Sequence, residues 1–235
     1  MADDNRSETD RLKKVYDDYR TSTSVQARWN LANPGNNTIN QERCQAIRQI
    51  FRSASCPSLS ASRVLDIGCG NGDVLANLIE MGAQTENLYG VDLLITRLQD
   101  AKKRYPHIAF QCGNAERLPF ADGFFNIILF FTVFSSILNS AMQRNVAREA
   151  NRLLAPGGVI LWYDFRYNNP MNPHVRAIRY SDIQNLFKEF DLHLFTITLL
   201  PPLARRFGRY TYYLYPKLVR LLFLRTHFIG LLLKK

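Results

Sequence analysis

Asp66, Gly68, Gly70 and Gly72 form the pattern D-x-G-x-G-x-G inside "RVLDIGCGNGDVL", Arg63 to Leu75. Glycine accepts positive φ and has no Cβ, so a bare backbone here can approach a ligand closely, with the amides of a following helix available to it. A tight strand-to-helix turn would need fewer glycines. The spacing departs from the dinucleotide fingerprint G-x-G-x-x-G, because the third glycine comes one residue early. Asp92 follows twenty positions after Gly72, at the end of "LYGVDL". A carboxylate so placed can accept hydrogen bonds from both hydroxyls of a ribose, and can equally serve as a helix cap. In "QCGNAERLPF", Asn114 can reach an adenine edge while Ala115 supplies a backbone amide. A further polar cluster, "LWYDFRYNNPMNPHVR" from Leu161 to Arg176, gathers Tyr163, Asp164, Arg166, Tyr167 and His174. Asp164 or His174 there could act as a general base, with Arg166 binding an anionic or hydroxylated substrate. The bland alternatives are a surface or capping histidine beside Pro173, and an Asp164–Arg166 ion pair that shapes a loop.

These residues need strands to end beside one another. "RVLDIG", "NLYGVDL", "IAFQCGN", "FNIILFFTV" and "GGVILWYDF" read as strands. They alternate with helical patterns in "GDVLANLIEMG", "LITRLQDAKKRYP" and "SAMQRNVAREANRLL", the last of these before an "APGG" turn. Strands apolar on both faces and alternating with helices indicate a parallel sheet covered on both sides, with ligands bound outside the strands' carboxyl ends. After Pro173, "SDIQNLFKEF" reads as a helix and "LHLFTITLL" as a strand, and "THFIGLLLKK" fits a closing strand or a helix. Upstream, "RLKKVYDDYR" is helix-compatible, "NPGNN" is a turn cluster, "NQERCQAIRQIF" is helical and "SASCPSLSAS" a linker.

The order "VLDIGCGNGD", "YGVDL", "GNAERLPFADGFFNIILF", "RLLAPGGVIL" resembles the class I S-adenosylmethionine-dependent methyltransferases, in particular the small-molecule type called methyltransferase family 11. The resemblance runs from about Arg63 to Trp162. It implies an α/β fold: a three-layer Rossmann-like sandwich on a seven-stranded, mostly parallel sheet whose last strand is antiparallel. It implies S-adenosylmethionine as cofactor. Asp66, Gly68 and Gly70 would face its methionine part, Asp92 the ribose hydroxyls, and Asn114 with Ala115 the adenine, with Cys69 and Leu93 also among the cofactor-binding residues. Phe131 and Thr132 would line the methyl-donor region. Many relatives have Asp at Asn114 and an acid at Asn126; an amide oxygen can still accept from the adenine amino group. In domain terms, residues 1–60 form an N-terminal helical lid segment, and residues 61–235 the methyltransferase domain with a basic, aromatic insertion near 201–225. Tyr16 and Tyr19 fit either a lid or amphipathic packing, and both tryptophans, Trp29 and Trp162, a structural role.

With 235 residues and 27.1 kDa, the chain suits one substantial core. Its net charge of +10 permits nucleic acid, a phosphorylated carrier or an anionic membrane as partner. The four cysteines contain no C-x-x-C pair, so neither a zinc site nor a disulfide framework is indicated, and no metal is expected. The acidic, polar opening "MADDNRSETDRLKK" argues against a signal peptide, and a cytoplasmic setting is the default, with association at the membrane periphery as an addition. "PPLARRFGRYTYYLYPKLVRLLFLR" fits a surface that docks on a membrane, and equally a helix closing the pocket with its charges in water. The function expected is methylation of a small molecule, foremost O-methylation of a sugar, glycan precursor or secondary metabolite. The rivals are a non-catalytic cofactor-binding subunit, an RNA methyltransferase, which would need an "NPPY"-like motif or an RNA-binding module, and, weakest, a NAD enzyme.

Overall fold

The computed structural model describes residues 2–53 and 55–235, residues 2–6 by their backbone. Seven strands form one sheet: β1 Val64–Ile67, β2 Leu88–Asp92, β3 Ala109–Cys112, β4 Phe125–Phe131, β5 Leu154–Phe165, β6 Phe190–Leu199 and β7 Arg225–Lys234. Their order is β3-β2-β1-β4-β5-β7-β6, and β7 runs antiparallel to both of its neighbours. The seven-stranded sheet with its antiparallel last strand is therefore present, and the closing apolar run is a strand. Order reverses between β1 and β4, which places a crevice beyond the carboxyl ends of β1, β2 and β4.

The strands read as unbroken apolar runs because alternate residues enter two cores. Leu65, Ile67, Ile128, Phe130, Ile160 and Trp162 face a layer built from α1 (Ala2–Thr21), α6 (Ser140–Leu153) and α7 (Tyr180–Leu186). Val64, Ile127, Leu129, Val159, Leu161 and Tyr163 face the opposite layer, with α3 (Pro34–Phe51), α4 (Asp73–Ile79) and α5 (Ile95–Arg104). Each fully buried large aliphatic or aromatic side chain contributes roughly 1.5–3 kcal/mol, and Trp162, Phe125, Phe130, Phe134 and Phe187 are the largest of them. Trp29, in contrast, lies in α2 (Thr23–Trp29) and is exposed.

Two local expectations change. "NPGNN" is the start of α3: Asn33 caps it by accepting from the Gly35 and Asn36 amides, and Pro34 occupies the first turn, where its missing N–H costs nothing. "APGG" lies within β5 as an irregularity. Phe125 pairs with Leu154 and Ile127 with Val159, and Gly157 sits at positive φ where the extra residues loop out.

The N-terminal segment expected over residues 1–60 is helical through α1, α2 and α3; Met1 and Ala54 lie outside the described residues. The basic, aromatic insertion forms α8 (Pro201–Arg206) and α9 (Thr211–Leu218) between β6 and β7. No helix among the described residues is long and apolar enough to cross a membrane.

Candidate functional site

β1 ends in a loop whose Gly68, Gly70 and Gly72 all adopt positive φ, 77°, 55° and 79°. The Gly68 and Cys69 amides donate to the Val91 carbonyl at 2.8 and 3.0 Å, which locks this loop to β2. At Gly70 the positive φ is the demand for glycine; a Cβ would meet the tip of the Arg97 side chain, which can swing aside.

Asp92 closes the loop from the other side. Its Oδ2 accepts from the Gly70 amide at 2.8 Å and its Oδ1 from the Leu94 amide at 2.9 Å, so the carboxylate holds the glycine loop and the entry to α5 together. Arg97 approaches it at 3.7 Å and lies over the Tyr16 ring, 5.3 Å from its centroid.

Asp66 is almost wholly buried, and neither carboxylate oxygen has a hydrogen-bond partner. Burial, reinforced by the Asp92 charge and opposed by Arg97, pushes its carboxyl up to about 8. A buried acid without a partner beside a glycine cradle fits a ligand that brings a cationic donor, because such a donor would satisfy both oxygens.

A cavity of about 160 Å³ opens beside this loop. Of the sequence candidates, Gly68, Asp92, Leu93, Asn114, Ala115, Phe131 and Thr132 line it; Asp66 stands next to the lining residue Ile67 in β1, and Cys69 and Gly70 follow Gly68 in the loop. Cys69 is buried, and burial pushes its thiol up, so it is no nucleophile at neutral pH. Asn114 spends its side chain locally, accepting from the Glu116 amide and donating to the Glu116 carboxylate. Thr132 holds φ at 56°, unusual for a β-branched residue, at the end of β4. Its amide donates to the Tyr163 carbonyl at 2.7 Å, and its carbonyl accepts from Ser136 Oγ at 2.9 Å.

Of the other walls, the sequence pointed to Tyr16 alone, as a lid or as packing. Leu12 and Tyr16 of α1 cover the cavity, with Arg97 of α5, Val133, Ser136 and Ile137 of the turn after β4, and Met142 and Val146 of α6. Signals existed for several. Glu8, Leu12 and Tyr16 fall at i, i+4, i+8, one face of α1, and Arg97 sits in the first turn of α5, where the helix dipole disfavours a cation unless an acid is at hand. Glu8 anchors α1 by accepting from the Leu138 and Asn139 amides and from Arg11, whose guanidinium also donates to the Ser136 carbonyl. Burial opposes ionisation of Glu8, but those donors hold its carboxyl below the usual range. Tyr16 meets Ser136 Oγ at 2.6 Å and Tyr19 donates to Asn172 at 3.0 Å.

The three candidate catalytic residues do not converge. Asp164 is buried, accepts from the Ser135 amide at 3.0 Å and from its neighbour Phe165, and burial pushes it up to about 6. Arg166 makes no ion pair with Asp164; it donates to the Leu222 and Arg225 carbonyls and stacks on Tyr167 and Phe228. His174 is exposed, on a segment fastened to the cavity turn where the Arg176 amide donates to the Ser135 carbonyl at 2.8 Å.

Residues 64–158 match a family model described as a methyltransferase domain. Among relatives, a demethylmenaquinone methyltransferase from Chlorobaculum parvum is 29% identical over 62% of this chain and 59% of its own length. A phthiotriol/phenolphthiotriol dimycocerosates methyltransferase from Mycobacterium ulcerans is 33% identical over 52% of this chain and 45% of its own. The chain thus spans about half the length of the relatives it matches. Among solved structures, an S-adenosylmethionine-dependent methyltransferase from Mesorhizobium loti superimposes with a TM-score of 0.60 at 14% identity, covering 83% of this chain and 98% of that one. The [4+2]-cyclase SpnF reaches 0.58 at 16% identity, covering 82% and 80%. At such identities these two likenesses speak for the fold alone.

Proposed function

Because the chain carries a methyltransferase domain of the class I, S-adenosylmethionine-dependent kind, we propose that it is an enzyme transferring a methyl group to a small apolar acceptor such as a quinone or a lipid-like molecule. The observation that carries this reading is the buried, unpartnered Asp66 carboxyl beside the three left-handed glycines. S-adenosylmethionine, when bound, supplies an electrophilic methyl group on a sulfonium and an ammonium group that suits Asp66.

The chain's own residues do the holding. Asp66, Gly68 and Gly70 receive the methionine part, Asp92 the ribose hydroxyls, Asn114 and Ala115 the adenine, and Phe131 with Thr132 the methyl-donor end, with Leu93 lining the cavity beside Asp92. Leu12 and Tyr16 exclude water over the site. Positioning an acceptor in line supplies most of the acceleration such a site needs.

For a hydroxyl acceptor, His174 is the candidate base, since of the two candidate bases Asp164 is buried and His174 is exposed. Asp164 acts as a positioning residue through the Ser135 amide, and Arg166 by holding the turn before β7. A base role predicts that His174→Gln lowers kcat and leaves KM unchanged. O-methylation of a sugar or glycan precursor is the narrower alternative; the apolar lining by Leu12, Phe131, Val133 and Ile137 and the acceptors named for the relatives favour the apolar one.

Calorimetric titration with S-adenosylmethionine, S-adenosylhomocysteine and NAD tests the cofactor. Binding of the first two and not the third, followed by methyl transfer to demethylated naphthoquinols or phenolic lipids in a mass-spectrometric screen that includes glycosides, is expected. Absence of binding by both sulfur compounds would sink the proposal.

A further inference from the structure

We infer that α2 and the α8–α9 excursion form a docking surface for an anionic phospholipid bilayer, with Arg28 and Arg205 receiving headgroup phosphates while Leu222 and Phe223 enter the acyl boundary.

The first support is charge. No carboxylate occurs between Asp18 and Glu42, nor between Asp191 and Lys235, and these two stretches supply α2, α8 and α9. Among the described residues, none of Arg28, Arg205, Arg209 and Lys217 forms an ion pair. Their neighbours are rings instead: Arg205 lies over Trp29, Arg209 over Tyr210, and Lys217 over Tyr213 at 3.6 Å from the centroid. A cation on a ring keeps its outward side for an anion.

The second is an unmet donor. Arg205 Nη1 is buried and has no hydrogen-bond partner, although the residue as a whole is only half-buried. Burial and the neighbouring Arg28 both disfavour its charge, a cost that a phosphate on the accessible side of the Arg205 side chain would offset. α8 is seated on the start of α3, where the Asn33 amide donates to the Arg205 carbonyl at 3.3 Å and Gly35 packs so close that a Cβ would stand 2.4 Å from the Ala204 oxygen, and Arg205 meets α2 through the Trp29 ring.

The third is apolar exposure. Leu222 and Phe223 are 62% and 69% exposed, in the turn before β7, and Tyr212 and Tyr213 are 60% and 67% exposed on α9. Arg166 donates to the carbonyls of Leu222 and Arg225, so this turn is braced from the end of β5. Exposed apolar and aromatic side chains in the same excursion as unpaired cations match a bilayer interface, where burial and attraction to anionic lipid add. The excursion leaves β6 at its carboxyl end, the same edge of the sheet as the cavity, so docking would bring the cavity's edge of the protein toward lipid.

Vesicle flotation of the full chain tests this, and its readout is independent of methyl transfer. Phosphatidylglycerol-containing vesicles should carry the protein, pure phosphatidylcholine vesicles should not, and added salt should release it. Affinity should fall roughly fivefold for each cation removed in Arg28→Ala and Arg205→Ala, and about tenfold in Phe223→Ser. Arg205→Lys should recover part of the loss, and because Phe223 is exposed, its variant stays informative where an arginine variant fails to fold. Equal binding to both vesicle types, or unchanged binding by Phe223→Ser, would overturn the inference. So would binding of an RNA or DNA oligonucleotide without any binding of vesicles.

Discussion

Asp66 and Asp92, at the ends of adjacent parallel strands, are both buried but treated oppositely: Asp92 accepts the Gly70 and Leu94 amides, while Asp66 accepts nothing. Burial without a donor, with the Asp92 charge added, raises the Asp66 carboxyl. One carboxylate therefore organises the loop, and the other waits for a partner.

This division gives the two acids different variants. Asp92→Ala removes the acceptor of two buried amides and should cost about 1–3 kcal/mol in a urea melt, together with at least a tenfold loss of S-adenosylmethionine affinity by calorimetry. Retained affinity in a folded Asp92→Ala protein would remove Asp92 from the ribose role.

Proton release should accompany cofactor binding. With a free-site value of about 8, Asp66 is largely protonated at pH 7, and an ammonium group beside it favours the carboxylate. Calorimetry at pH 7 in two buffers of different ionisation enthalpy should show up to about one proton released, and Asp66→Asn should abolish the difference. Affinity should rise with pH toward 8 and then level.

Stability of the unliganded protein should run the other way. An ordinary carboxyl near 3.8 in the unfolded chain against about 8 when folded means that Asp66 costs nothing below pH 3.8 and destabilises increasingly as pH rises to about 8. By pH 7 the cost is on the order of 4 kcal/mol. The melting-temperature gain of Asp66→Asn over wild type should therefore widen between pH 4 and pH 8; a constant gap would contradict the burial of this group without a partner.

His227 should mark the acid limb. It stacks on Tyr163 at 4.5 Å between centroids, and burial together with Arg43 lowers its value to about 3. The unfolded chain takes up a proton near pH 6.5 that the folded one refuses, so stability should fall as pH drops from about 6.5 toward 3. A His227→Gln variant should flatten that decline in a pH series of thermal melts.

Gly35 tests the packing of α3 on α8. A methyl group there collides with the Ala204 backbone, which cannot rotate away, so Gly35→Ala should lose roughly 1–3 kcal/mol. Unchanged stability would show that α8 is free to shift.

The chemistry of the loop was legible residue by residue. Positive φ at Gly68, Gly70 and Gly72, a carboxylate at the end of β2 and uninterrupted apolar strands are local properties, and local pattern dictates strand, turn and parallel sheet. The ambiguous last run became β7 because only a strand can pair both β5 and β6. What no local pattern contained was the company each residue keeps. Leu12 and Tyr16 reach the cavity from about fifty residues before Gly68, Asp164 spends its oxygens on backbone amides, and Arg166, six positions after Ile160 in the same segment, braces a turn some sixty residues on. Such pairings depend on how helices cross the sheet, a sum over many side chains that share no periodicity with either partner. Residue types and spacing were enough to identify a glycine loop joined to an acid at the end of the next strand. Which side chains face its ligand, and which are consumed in building its walls, was set by the packing of distant segments.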